Sequence, residues 1–309
     1  MRTGSKTTSR AGWSCQVSSR DDRLKIAGAV PNLTCATMQS CMASPRVDLY
    51  NNAYGNYSDQ VYRQVRLETY GEDLGQTSWA TTEESAEIPR LLGLTRSSYV
   101  LEIGSGSGCY ALQLAESVGC RILGVDINGP GITTANQLAA SRQLESRVQF
   151  EQCDVSQKLR FDSATFDAVF SNDSLCHIRG RAALLGQIYR VLKPGGRLLF
   201  SDALIIGGTI SHEELATRSS IGYYLFSPPG ENERLLEQQG FRVLSATDTT
   251  ANAASIARRW HDARENQKQA LLSIEGENFA GVQRFLMCVH ALTTERRLLR
   301  RLYLTEKPD

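Results

Sequence analysis

The sequence has no C-x-x-C pair, no apolar run approaching about 18 residues and almost no net charge. Its four histidines are widely spread, and none lies at metal-ligand spacing from a cysteine, which argues against a structural zinc site. The missing apolar run argues against a membrane span. A net charge of +1 argues against a surface for nucleic-acid phosphates. We therefore expect no metal, no nucleic acid, no membrane span, and a cytoplasmic location where the eight cysteines stay reduced.

The first part of the chain differs in composition from the rest. Residues 1–45 are rich in Ser, Thr and basic residues and show neither helical nor strand periodicity. We interpret them as a flexible N-terminal tail, with a targeting segment and a start codon assigned too early as the alternatives. Residues 1–41 are expected to be dispensable for activity. Residues 46–309 are predicted to form one domain, since 41% of the 309 residues are hydrophobic and can build a large core.

Strand and helix patterns alternate in the middle of the chain. The predicted strands are at 99–103, 121–125, 147–150, 166–170 and 197–203, with helices at 109–118, 130–143 and 181–192. Such alternation predicts a parallel, doubly wound sheet. The flanking predictions are helical patterns at 47–65 and 82–92, a helix at 231–239, a strand at 241–248, a long helical section at 253–297 and a strand at 302–304.

A glycine-rich turn, Gly104-Ser105-Gly106-Ser107-Gly108, follows the first of these strands. A turn without bulk lets a ligand approach backbone N–H groups where the next helix begins. Its third glycine comes one residue earlier than in the dinucleotide fingerprint, which argues against a cofactor with a pyrophosphate. Asp126 ends the next strand about twenty residues after Gly106, where an acid can accept hydrogen bonds from ribose hydroxyls. Together these features predict an adenosine ligand without phosphates.

Two more segments fit an adenosine site. Asp154 follows the third strand, and its carboxylate can accept a hydrogen bond from an adenine amino group; a helix N-cap is the alternative. Residues 171–178 follow the fourth strand, at the carboxyl edge where ligands bind in such sheets.

The order of five segments resembles the class I S-adenosylmethionine-dependent methyltransferases. Within them it is similar to the small-molecule branch, which includes sterol, ubiquinone, phosphoethanolamine and glycine/sarcosine methyltransferases. The segments are LEIGSGSG at 101–108, GVDI at 124–127, QCDV at 152–155, SNDSLCHI at 171–178 and LKPGGRLLFSD at 192–202.

The resemblance implies an α/β fold of the Rossmann-like methyltransferase type. Its doubly wound, mostly parallel seven-stranded sheet would have an antiparallel last strand and helical cap inserts. The implied parts of the methyltransferase domain at 46–309 are the N-terminal helices and cofactor lid at 46–98, the S-adenosylmethionine-binding core at 99–203, and the acceptor-site cap at 204–240 and 250–297.

The resemblance also implies S-adenosylmethionine as cofactor, with S-adenosylhomocysteine as product, and assigns residues to it. Gly104, Ser105, Gly106 and Gly108 would contact the methionine part. The other implied residues are Glu102 supporting the turn, Asp126 at the ribose, Ile127 flanking the adenine, Asp154 and Val155 at the adenine edge, Asn172 under the methionine part, and Ser78 and Trp79 closing over the cofactor.

The catalytic candidate is His177, which follows the fourth strand near the expected position of the methyl group. Its ordinary pKa of about 6.5 suits a base or an orienting group at neutral pH, and a histidine bonded to backbone at a helix start is the alternative. An aromatic cluster, Tyr223, Tyr224 and Phe226, is expected to bind a hydrophobic or cationic acceptor. The cap carboxylates Glu213, Glu231 and Glu295 are candidates for stabilising a carbocation formed during C-methylation.

The sequence thus predicts methyl transfer from S-adenosylmethionine to a small-molecule acceptor, expected to be a specialised metabolite. N- and C-methylation rank ahead of O-methylation. An RNA methyltransferase and a non-catalytic S-adenosylmethionine-binding scaffold are the alternatives. The oligomeric state stays open, with a homo-oligomer as one alternative.

Overall fold

A computed structural model describes residue 1 and residues 47–309. Apart from residue 1, the tail predicted at 1–45 lies outside the described residues. Seven strands form one sheet in the order β3-β2-β1-β4-β5-β7-β6. They are β1 (Tyr99–Ile103), β2 (Arg121–Asp126), β3 (Val148–Gln152), β4 (Phe166–Ser171), β5 (Leu192–Ile206), β6 (Arg242–Asp248) and β7 (Leu298–Glu306).

The first five strands run parallel, and β7 pairs antiparallel with both β5 and β6. Because β1 lies between β2 and β4, the strand order reverses beside β1 and leaves a crevice at the carboxyl ends of these strands. The apolar residues of β1 are almost fully buried, as expected for a parallel strand covered on both faces. The predicted fold class, a doubly wound and mostly parallel seven-stranded sheet, is confirmed.

Twelve α-helices are described in residues 47–309. They are α1 (Tyr50–Gly55), α2 (Gln60–Tyr70), α3 (Thr82–Ala86), α4 (Ile88–Leu92), α5 (Cys109–Val118), α6 (Gly129–Ser141), α7 (Arg181–Val191), α8 (His212–Arg218), α9 (Glu231–Gln238), α10 (Thr250–Asn266), α11 (Lys268–Glu275) and α12 (Asn278–Thr294). None of the helices in this described part combines the length and the apolar character needed to cross a bilayer.

The structure divides two of the predicted helical stretches. The pattern at 82–92 forms α3 and α4, because Pro89 has no N–H to bond the Ser85 carbonyl and its ring opposes a continuous helix there. The section at 253–297 forms α10, α11 and α12, with Gly276 at φ +57° between the last two. The predicted last strand at 302–304 is longer, since β7 pairs with two neighbours along its length.

Three apolar clusters fill the domain. Two of them pack against the sheet, and the third lies among the cap helices α10 and α12. The third cluster includes Trp79, Trp260 and Phe285, so it joins the segment before α3 to the cap. The cap is therefore held beside the carboxyl edge of the sheet, where the crevice opens.

Candidate cofactor and acceptor site

A cavity of about 730 Å³ lies at the carboxyl ends of β1, β2 and β4. Its volume falls in the range typical of small-molecule sites. Gly104, Asp126 and Asn172 line it from three strand ends, as the sequence predicts. Of the other predicted residues, the lining includes Ser78, Ser105, Ile127, Asp154, Val155, His177 and Tyr223.

Helix α1 covers this cavity. Asn51 Oδ1 accepts a hydrogen bond of 2.9 Å from Asn128 Nδ2, which ties α1 to the start of α6. On the opposite side, the hydroxyl groups of Tyr54 and Thr77 are 2.7 Å apart. The sequence analysis assigned no role to these four residues: the tyrosines of this segment follow an apolar helical pattern, which indicates only that one face is buried.

Asp126 is held by backbone groups on both sides. The Gly106 N–H donates to Asp126 Oδ2 at 2.8 Å, and the Asn128 N–H donates to Oδ1 at 2.8 Å. A carboxylate offers about four acceptor positions, so lone pairs remain for two ribose hydroxyls. Burial raises the pKa of Asp126, and the backbone hydrogen bonds oppose that shift.

Two glycines of the turn serve packing and do not line the cavity. Gly106 and Gly108 have φ values of +53° and +80°. A Cβ atom on Gly106 would collide with the Tyr54 ring, and one on Gly108 would collide with the Phe150 ring of β3. Of the four residues predicted to contact the methionine part, only Gly104 and Ser105 line the cavity.

Unsatisfied polar atoms in the lining residues fit the methionine part of the cofactor. Ser105 Oγ and Asn172 Nδ2 are buried and have no hydrogen-bond partner among the described residues. Buried polar atoms normally have partners, so such atoms indicate a missing ligand group. A hydroxyl and an amide N–H can bind the carboxylate and ammonium of a bound amino acid.

The adenine half combines an apolar rim with one carboxylate. Ile127 lines the cavity yet is 67% exposed, which suits a side chain that covers a flat ring. Asp154 Oδ1 accepts the Ser156 N–H at 3.0 Å, and hydrogen bonds from Ser156 lower the pKa of Asp154. Asp154 is thus ionised at neutral pH and can accept a hydrogen bond from an adenine amino group, and Val155 lies beside it in the lining.

Glu102 lies beneath the turn, only 1% exposed and outside the cavity. Burial, and then the charge of Asp126, raise the pKa of Glu102 well above its usual value. Glu102 therefore packs under the turn, where burial favours its uncharged form.

Trp79 does not close over the cavity, contrary to the expectation. Its ring packs in the core with centroid distances of 5.9 Å to Trp260 and 6.1 Å to Phe285. Only its backbone contacts the site, because the Trp79 N–H donates to Asp173 Oδ2 at 2.8 Å. Ser78 does line the cavity, and its hydroxyl is 3.1 Å from that of Tyr110.

His177 forms a hydrogen-bonded pair with Tyr50 of α1. The Tyr50 hydroxyl is 2.9 Å from Nε2 of His177, and the Tyr223 carbonyl is 3.1 Å from Nδ1. A carbonyl only accepts, so Nδ1 carries the proton and Nε2 accepts from the Tyr50 hydroxyl. Burial, and then the Arg218 charge, lower the pKa of His177 to about 4, while burial raises that of Tyr50. Both groups are therefore uncharged at neutral pH.

The aromatic cluster divides between the cavity and the layer behind it. Tyr223 lines the cavity, with the Arg179 guanidinium 4.1 Å from its ring centre. Tyr224 is buried behind His177, with ring centroids 4.3 Å apart, and Phe226 packs against Tyr224 at 6.3 Å. Of these three predicted acceptor residues, only Tyr223 lines the cavity, and its contact with an acceptor stays a prediction.

The three cap glutamates lie away from the cavity. Glu213 and Glu295 are exposed, and Glu231 is partly exposed on the surface of α9. Glu231 pairs with Arg234, and Glu295 pairs with Arg297. None of the three belongs to the cavity lining, so the expected carbocation stabilisation by these side chains has no geometry to support it.

Comparison with known proteins agrees with this site. Residues 101–200 match the family model described as a methyltransferase domain. The chain is 31% identical over 216 residues to phosphoethanolamine N-methyltransferase 1 of Triticum aestivum, covering 70% of this chain and 42% of that protein. It is 30% identical over 199 residues to the O-methyltransferase resE of Aspergillus sclerotiorum, covering 64% and 72%. The chain therefore spans less than half the length of the first of these relatives.

A solved structure of similar fold is phosphoethanolamine N-methyltransferase 2 of Haemonchus contortus, in complex with phosphomonomethylethanolamine and S-adenosylhomocysteine. The TM-score is 0.71 at 22% identity, over 85% of this chain and 61% of that chain. A cavity at the strand ends of a doubly wound sheet is the place where α/β proteins of this architecture bind their ligands. This chain belongs to the S-adenosylmethionine-dependent methyltransferases, and the resemblance to their small-molecule branch is confirmed.

Proposed function

We propose that this protein transfers a methyl group from S-adenosylmethionine to a proton-bearing nitrogen or oxygen atom of a small molecule. A specialised metabolite remains the expected acceptor class. The observation that carries the proposal is the Tyr50–His177 pair, whose hydroxyl and Nε2 are 2.9 Å apart in the wall of the cavity. Its neutral imidazole can accept a proton that the acceptor must lose.

The chain's own groups provide the positioning and the route for that proton. S-adenosylmethionine supplies, when bound, a methyl group on a positively charged sulfur. Ser105, Asp126 and Asn172 would hold it, while α1 excludes water. The methyl acceptor gives its proton to Tyr50 Oη, and at the same time the hydroxyl proton of Tyr50 passes to His177 Nε2. The pair thus holds that proton while the nucleophile's electron pair forms the bond to carbon and the carbon–sulfur bond breaks.

Tyr50 supports a nitrogen or oxygen atom as the methyl acceptor. The Tyr50 hydroxyl donates its hydrogen to His177, so the lone pairs of its oxygen can accept a hydrogen bond in the cavity. An N–H or O–H group of the methyl acceptor can donate that hydrogen bond. This supports N-methylation, which the sequence ranks with C-methylation ahead of O-methylation, and it supports O-methylation as well. The relatives named as an N-methyltransferase and an O-methyltransferase agree with both. C-methylation loses support, because the cap glutamates lie at the surface.

The two alternative functions have less support. Four aspartates line the cavity (48, 126, 154 and 173) against one arginine, Arg179, which suits an RNA backbone poorly. A non-catalytic scaffold would not need a paired, uncharged histidine beside the cofactor space.

The test is an acceptor screen with methyl-labelled S-adenosylmethionine, read by mass spectrometry. We expect labelled product from a compound with an amine or hydroxyl, with the label on that atom. His177→Asn and Tyr50→Phe should keep S-adenosylhomocysteine affinity but lower kcat about 100-fold or more, since a positioned base contributes that much. Tyr57→Phe is the matched control, because Tyr57 bonds Cys109 outside the cavity lining. Unchanged turnover in both variants would contradict the proposal, and label on a carbon atom would contradict the heteroatom assignment.

A further inference from the structure

One buried arginine has no carboxylate partner among the residues that the structure describes. Five arginines are buried in the part of the chain that the structure describes, and four of them form ion pairs: Arg66 with Asp73, Arg181 with Asp202, Arg264 with Glu275, and Arg300 with Asp173 and Glu84. The fifth, Arg218 at the end of α8, is 1% exposed. Its Nε and Nη1 atoms have no hydrogen-bond partner among the described residues.

Aromatic rings surround this guanidinium instead. Its central carbon is 4.3 Å from the ring centre of Tyr224, 5.2 Å from that of Phe285 and 5.8 Å from that of Trp79. Cation–π contacts compensate a buried charge only in part, since an ion transferred from water loses far more hydration than a ring returns. A charge kept at such a position opposes folding, which suggests that it serves the site beside it.

The neighbouring site is the Tyr50–His177 pair. Tyr224 lies between Arg218 and His177, with 4.3 Å from its ring centre to the guanidinium carbon and 4.3 Å to the imidazole centre. The three side chains form a stack that ends at the cavity wall, where His177 meets Tyr50.

The negative charges near His177 do not offset the positive charge of Arg218. Tyr50 faces the imidazole from α1, Tyr224 and the Tyr223 carbonyl from the segment after α8, and Cys176 precedes it in its own turn. Asp173, which follows β4, and Asp202, which lies within β5, favour its protonated form. Each aspartate, however, is paired with its own buried arginine. Burial and the Arg218 charge lower the pKa of His177.

We propose that Arg218 is a positioning residue, whose charge keeps the His177 imidazole uncharged and its Nε2 the acceptor of the Tyr50 hydrogen bond. Arg218 does not line the cavity, so it acts through Tyr224 and His177 and contacts no substrate. The role inferred for Arg218 rests on the proposed function, but its test does not require methyl transfer.

The test is the titration of His177 in the full-length protein, followed by NMR with ¹⁵N-labelled histidine. The chain has only four histidines, and the His177 signals are identified by their loss in His177→Asn. In the wild type we expect the imidazole to stay neutral down to about pH 5, given its pKa of about 4. Arg218→Met should move the midpoint upward by roughly one pH unit, and Arg218→Lys should keep the wild-type midpoint.

Thermal unfolding separates this role from a structural one. Arg218→Met removes an unpaired charge, so its Tm should equal or exceed that of the wild type. Arg264→Met is the matched control, and its Tm should fall because it leaves the buried Glu275 unpaired. An unchanged midpoint in Arg218→Met, the same shift in Arg218→Lys, or a fall in Tm as large as that of Arg264→Met would each overturn the proposal. These measurements need no methyl acceptor, so their outcome does not test the proposed function. A failed acceptor screen, in turn, does not test the role of Arg218.

Discussion

The Glu102 carboxyl group beneath the glycine-rich turn gives stability a pH dependence. In the unfolded protein, the Glu102 carboxyl group ionises near pH 4.3. Folded, it stays protonated to a higher pH, because burial and Asp126 raise its pKa. The stability from this group is complete below about pH 4.3 and is lost as pH rises toward the raised pKa. We expect Glu102→Gln, which cannot ionise, to gain Tm over the wild type at pH 8 and to gain less at pH 5.

Differential scanning calorimetry at the two pH values measures this difference. Glu145→Gln is the control, because Glu145 is exposed and its substitution should change Tm equally at both pH values. A Glu102→Gln difference that does not grow with pH would show that the carboxyl is ionised in the folded protein.

The sequence predicts a residue of this site well when a strand end fixes its position. Asp126, Asn172 and His177 follow β2 and β4, and the order of parallel strands alone brings such residues to one edge. Tyr50 and Arg218 could not be found in this way, because their positions depend on how α1 and the cap fold over that edge. For Trp79, the resemblance assigned the residue to the cofactor, but the direction of a loop side chain could not be predicted from the sequence, and its ring packs in the core.

At the scale of elements, one buried cluster joins the segment before α3 to the sheet. Arg300 of β7 pairs with Asp173 after β4 and with Glu84 of α3, and Asp173 also accepts the Trp79 N–H. Arg300→Met would leave two buried carboxylates without a cation. We expect it to lower the free energy of unfolding by about 3–5 kcal/mol, measured by urea denaturation.

The neighbouring Arg301 provides the control for that substitution. Its ion pair with Glu233 is partly exposed, so Arg301→Met should cost about 1 kcal/mol or less. Equal losses in the two variants would show that the Arg300 cluster adds nothing beyond a surface ion pair.

The strands and the crossover helices were predictable because their apolar periods are short and regular. β1 has the predicted bounds, and α5 begins and ends as expected. The breaks between helices were harder to predict from the sequence. Gln267 and Gly276 separate α10, α11 and α12, yet the apolar pattern continues across them because all three helices face the same cluster. The length of β7 depends on pairing with β5 and β6, which are distant in the sequence.

For the whole molecule, the cofactor should act as a stabilising ligand. A ligand at about 100 times its Kd adds about 2.7 kcal/mol. For a domain of this size we expect S-adenosylhomocysteine to raise Tm by about 5–10 °C at that excess, measured by scanning fluorimetry. Asp126→Ala should lose most of this shift, whereas Asp162→Asn, an exposed aspartate outside the lining, should keep it. An equal shift in Asp126→Ala would contradict the ribose assignment.

Helix α1 contacts both halves of the cavity: Tyr54 lies over the glycine-rich turn, while Tyr50 bonds His177 on the acceptor side. A ligand in one half of the cavity that stabilises α1 in its covering position also stabilises α1 over the other half. We therefore expect binding of the cofactor product and of an acceptor to be coupled through one helix, and by reciprocity each ligand raises the affinity for the other by the same factor.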